Sequence, residues 1–441
     1  MNTDRVRPPR IIILGGGFAG AYCAQQLEKS LRTVAADIWL IDRHNYFVFY
    51  PFLVEASTGS LEPRHAVVSI RSFLDRTQLH LGTVIGADPA RHCITFTPGG
   101  SERAVEVAYD HLVVALGSVT RLPAVPGLAE HGFQLKSLAD GVALRDRAIR
   151  MLELAHASGD PAVRRALLHF VVVGGNFTGV ELAGEFQVFL REAAHRYRDL
   201  DPRECRVTLV EMADRILGAL DPQLSEYART QMEKRGTTVL LGTTATEVAR
   251  TGVTLSTGER LSACTTIWCA GIAPPPVLPN LGLPLERHGY LHCDPDQRVH
   301  GFEDVWAIGD CAAHEVAGKA LPATAQRAVR DGAHVAKNLH RVLTGKPPEP
   351  FRFDDAGSLA ALGCRTAVAK VFGIRLSGFA AWFLWRTVYL FKMPGWSRRL
   401  RIAMDWTTGL LFPREHVQLG LHGHRADTLL DDLSEKPPTD R

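Results

Sequence analysis

The sequence predicts an α/β protein made of two nested Rossmann-like dinucleotide-binding domains and a C-terminal helical module that associates with a membrane. Three observations predict it. A buried strand running straight into a glycine-rich loop occurs twice, at Gly15 and again at Gly174. Each loop is followed about 100 residues later by an apolar strand ending in Leu-Gly or Ala-Gly. After Pro347 the composition turns aromatic and basic. The length of 441 residues allows about three units. Hydrophobic residues at 46% and charged residues at 22% form the ordinary globular mixture, which excludes a disordered chain and a polytopic membrane protein. The 50 Lys and Arg against 47 Asp and Glu leave +3, too even for a nucleic-acid footprint, so no such partner is expected.

The first element is Arg10 to Gly20, R-I-I-I-L-G-G-G-F-A-G. Four consecutive apolar residues make a strand buried on both faces. Gly15, Gly17 and Gly20 then form G-x-G-x-x-G. One glycine serves the sharp turn, one lets a pyrophosphate approach bare backbone, and one lets helix and strand pack closely. The helix Ala21 to Leu31 aims its N-terminus at the phosphates, and the next strand, Asp37 to Ile41, ends in Asp42. That carboxylate has the spacing expected of a ribose ligand.

The second element repeats the first with one change. Strand L-L-H-F-V-V-V leads into Gly174, Gly175, Asn176 and Gly179, then the helix Val180 to Leu190, and the following strand ends in Glu211. Asn176 stands where backbone comes nearest a pyrophosphate, and its side chain is expected to crowd that phosphate, with asparagine tolerating positive φ better than most residues. Two readings stay open: a weakened nicotinamide dinucleotide site, or a structural relic.

The later strands close each half. Leu112 to Gly117 and Thr265 to Gly271 hold corresponding places, and Asp304 to Asp310 is a further strand closing on an acid. The resulting plan is one dinucleotide-binding domain at 1–120 and 294–346, a second at 121–293, a membrane-attachment module at 347–420 and a disordered tail at 421–441. The eight cysteines contain no C-x-x-C pair, so no metal site is expected. Cys264 and Cys269 read as opposite faces of one strand. No apolar run is long enough for a spanning helix.

Gly15 to Gly20, Leu116-Gly117-Ser118, Gly179-Val180-Glu181-Leu182-Ala183-Gly184-Glu185, Ile308-Gly309-Asp310-Cys311-Ala312 and Ala325-Gln326 resemble the type II NADH:quinone oxidoreductases, FAD enzymes attached to one membrane face. The resemblance runs from about Arg10 to Leu419. It implies NADH oxidation on FAD, reduction of a membrane quinone without proton pumping, and a peripheral place on the cytoplasmic face of the inner membrane. It implies that Asp42 and Asp310 hold FAD, that Glu211 holds the NADH ribose, that Glu181 lies beside nicotinamide and flavin, and that Gln326 lies where quinone enters. Asn176 departs from the family's glycine, and Arg330 stands where many members carry a second glutamine.

Other readings of the same residues stand beside these. Glu181 also reads as a capping or surface carboxylate, Gln326 as a polar residue at a helix start, and Asp310 as an N-cap. Leu321 to Gln326 is expected to open a helix with Pro322 in its first turn, its dipole facing reduced flavin. The alternatives for function are a sulfide:quinone oxidoreductase, for which only Cys311 and Cys364 lie in suitable regions, and a slow-turnover, NADH-responsive flavoprotein acting through partners.

The last segment gathers Trp382, Trp385, Trp396 and Trp406 with five further aromatic residues between Phe379 and Phe412. Arg386, Lys392, Arg398, Arg399 and Arg401 lie among them. Rings with long basic side chains suit a helix in the headgroup layer of a lipid surface. A core helix or the interface of a homodimer is the other use of such a pattern.

Overall fold

The computed structural model describes residues 7–316 and 319–420. The expected tail at 421–441 lies outside them. The described chain forms two compact units, one from residues 7–48, 67–119 and 272–355, the other from 49–66, 120–271 and 356–420.

The first unit is organised by a seven-stranded sheet in the order Val305–Ala307, His111–Val114, Arg10–Leu14, Asp37–Asp42, Gln78–Asp88, Cys93–Pro98, Val105–Ala108. The first five strands run parallel, Cys93–Pro98 turns back antiparallel, and Val105–Ala108 reverses again. Ile11 to Leu14 are wholly buried because both sheet faces are covered, which is why the strand reads as an unbroken apolar run. Helices Phe18–Ser30 and Ala325–Leu343 meet where a Cβ on Gly332 would stand 2.4 Å from the Ala19 carbonyl oxygen. Only glycine permits that approach.

The second unit carries a parallel five-stranded sheet in the order Gly132–Gln134, Thr265–Trp268, His169–Val173, Arg206–Val210, Thr237–Leu240. In both sheets the strand before the glycine loop sits between the strand ending in the acid and the late apolar strand. The two halves therefore share this strand arrangement, as the repeat in the sequence predicts, while the edge strand beside the late apolar strand comes last in the chain in the first sheet and first in the second. A three-stranded antiparallel sheet, Gly357–Ala361, Ala367–Val371 and Ile374–Ser377, leads into helices Gly378–Lys392 and Trp396–Leu411. Among the described residues no helix is long and apolar enough to cross a membrane.

Several boundaries differ from the sequence reading. Strand Thr265–Trp268 stops short of both Cys264 and Cys269, so the two thiols flank it instead of alternating across it. Strand Val305–Ala307 ends before Asp310, which lies in a 3-10 turn, Gly309–Cys311. Pro322 is outside the helix it was expected to open: Thr324 is the N-cap, accepting from the Arg327 N–H at 3.2 Å.

Of the aromatic residues near the C-terminus, Trp385 and Trp406 are core. Phe52 packs edge-on against both indoles, with ring centroids 6.0 and 5.6 Å away. Arg386 faces inward too, lying over Trp382 and Trp406 at 4.5 and 4.4 Å. These three side chains take the core alternative, while Phe379, Phe383, Phe391, Trp396, Leu411 and Phe412 remain exposed.

Candidate active site

In the first unit, Gly15 adopts φ +101° and begins the turn. A Cβ on Gly20 would lie 1.9 Å from the Gly15 carbonyl oxygen, so the third glycine of the motif is enforced by the helix lying against its own loop. A Cβ on Gly17 would meet no protein atom within 4 Å. That open space at a helix N-terminus is what a pyrophosphate requires. Asp42 accepts from the Gly16 N–H at 2.6 Å and the His44 N–H at 2.7 Å, tying strand end to loop.

Gly117, at φ +69°, follows the strand His111–Val114, and the neighbouring Ser118 hydroxyl donates to Asp310 at 2.9 Å. Both lie beyond the C-terminal ends of parallel strands, where such sheets bind ligands. Ala325 is the first residue of the 19-residue helix Ala325–Leu343. Gln326, half-buried, donates to the Asp355 carboxylate at 3.5 Å. Arg330, one turn on, donates to the Asp354 carbonyl and lies over the Phe353 ring at 5.2 Å.

The second unit repeats the loop geometry almost atom for atom. Gly174 has φ +114°, and a Cβ on Gly179 would lie 1.8 Å from the Gly174 oxygen. Glu211 accepts from the Gly175 N–H at 2.5 Å and the Ala213 N–H at 2.7 Å, the contacts Asp42 makes in its own loop. Asn176 differs from expectation. Its φ of −76° and ψ of −177° are ordinary extended backbone that matches Gly17, so tolerance of positive φ plays no part. Its side chain is the helix N-cap: Oδ1 accepts from the Gly179 N–H at 3.0 Å, and Nδ2 donates to the Cys269 carbonyl at 2.6 Å. Asn176→Ala should therefore cost about 1 kcal/mol of stability and Asn176→Gly only a few tenths, as urea midpoints would show.

Glu181 lies on the same helix, Phe177–Ala194. Its carboxylate accepts from the Ala361 N–H at 2.9 Å and from the Trp385 indole N–H at 3.2 Å. Burial outweighs these bonds and pushes the carboxyl up to about 8, with Glu55 and Glu185 adding to the rise. At neutral pH the group holds its proton.

Sequence reasoning missed a second such carboxyl. Glu55 is buried, accepts from the Trp406 indole N–H at 2.9 Å and pairs with Arg386 at 3.5 Å. Burial lifts it to about 7, against the pull of Arg386 and Trp406. Glu55, Arg386, Trp382 and Arg414 line an open groove of about 990 Å³. An acid inside the apolar run Phe52-Leu53-Val54-Glu55-Ala56 was the available signal, since a carboxylate there must find partners.

Residues 9–332 match the pyridine nucleotide-disulphide oxidoreductases, and 356–415 match the NDH2 C-terminal domain. The type II NADH:quinone oxidoreductase of Mycobacterium tuberculosis is 30% identical, covering 97% of this chain and 95% of its own. The chain belongs to the type II NADH:quinone oxidoreductase family. A demethylphylloquinone reductase of Synechocystis is 32% identical, over 91% of this chain and 96% of its own. In fold, it matches NDH2 from Plasmodium falciparum, solved with NADH, at a TM-score of 0.86 and 20% identity, covering 93% of this chain and all of that one. The sulfide:quinone oxidoreductase of Aquifex aeolicus shares the fold at a TM-score of 0.70 and 16% identity, over 92% and 96% of the two chains.

Proposed function

We propose that the protein oxidises NADH on a bound FAD and delivers the electron pair to a membrane quinone, without pumping protons. The observation that carries this reading is the duplicated loop geometry, two glycine turns each braced by an acid, in a chain of this family. Residues 1–120 and 294–346 form the FAD domain in this reading, 121–293 the NADH domain and 347–420 the attachment module. When bound, FAD accepts two electrons from NADH and returns them to the acceptor. The open space at Gly17 admits its pyrophosphate, with Asp42, Gly117 and Asp310 at the surrounding strand ends. Glu211 places a carboxylate where the 2′-phosphate of NADPH would be repelled, which selects NADH. In the first unit Gln326 presents an amide to the acceptor; in the second, Glu181 is a carboxylic acid at neutral pH. Cys311 is buried with its thiol pushed up to about 11, unsuited to carrying sulfur.

The two C-terminal helices supply the membrane contact. Phe379, Phe383, Phe391, Trp396, Leu411 and Phe412 are exposed, with Lys392 and Arg401 exposed beside them, the combination that enters a headgroup layer. Attachment on the cytoplasmic face of the inner membrane gives a quinone a short path to the site. Replacing Phe391, Leu411 and Phe412 together by serine should cut binding to anionic vesicles by roughly tenfold or more, since each buried ring or Leu contributes about 1.5–3 kcal/mol. Turnover with a water-soluble quinone should persist. Undiminished co-sedimentation with vesicles would contradict the attachment.

A further inference from the structure

A buried ion pair in the first unit is given no role in the function as proposed above. Arg327 and Asp331 are one turn apart on helix Ala325–Leu343, are 3% and 0% exposed, and meet at 3.1 Å. In this order along the helix the pair adds little to helix stability. Its contacts lie elsewhere. Asp331 accepts from the Gly309 N–H at 3.0 Å and from the Gln297 amide at 2.7 Å. Arg327 donates to the carbonyls of Gly309 at 2.6 Å, Ala312 at 3.1 Å and Leu321 at 3.1 Å. The pair therefore grips the backbone of Gly309 by both its N–H and its C=O. Gly309 precedes Asp310, and Arg327 follows Gln326.

Gln297 completes the arrangement. It is fully buried, holds φ +74° and accepts from the Ala307 N–H at 3.1 Å. A non-glycine residue in the left-handed region persists only where its surroundings fix it. The end of strand Val305–Ala307, the turn after it and the helix are thus joined through two charged side chains and one amide. A buried ion pair is weak support for stability, because desolvation offsets most of the attraction, and specifying a position is its better attested use.

We propose that the Arg327–Asp331 pair is a positioning device that registers the Gly309–Asp310 turn against the helix carrying Gln326. It thereby sets a flavin held by Asp310 relative to an acceptor met by Gln326. The proposal rests on the functional reading above. Arg327 and Asp331 touch neither ligand and act through their neighbours.

Arg327→Lys keeps the charge, but a single ammonium cannot reach Asp331 and three carbonyls at once. It should weaken FAD binding at least tenfold, read by fluorescence of released flavin, and should change the visible circular dichroism of the flavin that remains. The double variant Arg327→Met/Asp331→Leu separates position from stability, since apolar replacement of a buried pair is often neutral for folding. Its apoprotein should melt near the wild-type temperature while FAD affinity falls by a similar factor. Wild-type FAD affinity and an unchanged flavin spectrum in a folded variant would overturn the proposal. If the double variant does not fold, Arg327→Lys decides by the same two readouts. Wild-type protein that binds FAD without being bleached by NADH would instead count against the functional reading.

Discussion

Gly17→Ala should leave the apoprotein folded and strip it of FAD, whereas Gly20→Ala should damage both. The two glycines share one motif, but a methyl group meets different surroundings at each. At Gly17 it meets no protein atom within 4 Å, and φ is −70°, so alanine is compatible with the chain itself. The space it fills is the space assigned to the pyrophosphate. FAD affinity should fall at least tenfold with little change in apoprotein melting. At Gly20 the methyl would stand 1.9 Å from the Gly15 oxygen, which is backbone and has nowhere to go. The cost there exceeds the roughly 1–3 kcal/mol usual for overpacking. A folded Gly17→Ala protein that binds FAD as tightly as wild type would show that the pyrophosphate lies elsewhere.

The second large effect is a loss of stability as pH rises. Both buried carboxyls titrate higher folded than unfolded, so the folded chain keeps their protons from the ordinary 4.5 up to about 7 for Glu55 and about 8 for Glu181. Their contribution is full below 4.5 and is lost as pH climbs through those values. Arg386 and Arg414 oppose the shift at Glu55, while Glu185 adds to it at both sites. For Glu55 alone the change is on the order of 3 kcal/mol. The urea midpoint should fall between about pH 4.5 and pH 8 in the wild type. In Glu55→Gln/Glu181→Gln it should stay nearly flat. An equal fall in both would place the titrating groups elsewhere.

The nucleotide loops were legible because their determinants are local. Strand, turn, helix and acid lie within about 45 residues of one another, and each glycine answers a constraint imposed by near neighbours, as Gly20 on Gly15 shows. Asn176 was legible in part: asparagine is among the preferred N-cap residues, and attention to the absent glycine hid the present cap. Thr324 at the start of helix Ala325–Leu343 was open to the same reading.

What sequence did not reveal depends on distant partners. Glu55 meets Trp406 351 positions away, and no periodicity carries that information. Arg386 reads as a headgroup cation from its neighbours alone, yet a buried acid and two indoles draw it inward. The exposed face of those helices keeps its aromatic character with fewer cations than the sequence suggests.

The most direct test is an anaerobic titration of the purified protein followed through the visible absorbance of the flavin. NADH should bleach the flavin with about one equivalent per site, NADPH should do so far more slowly, and an added quinone should restore the colour. A flavin bleached by sulfide and untouched by NADH would contradict the proposed function.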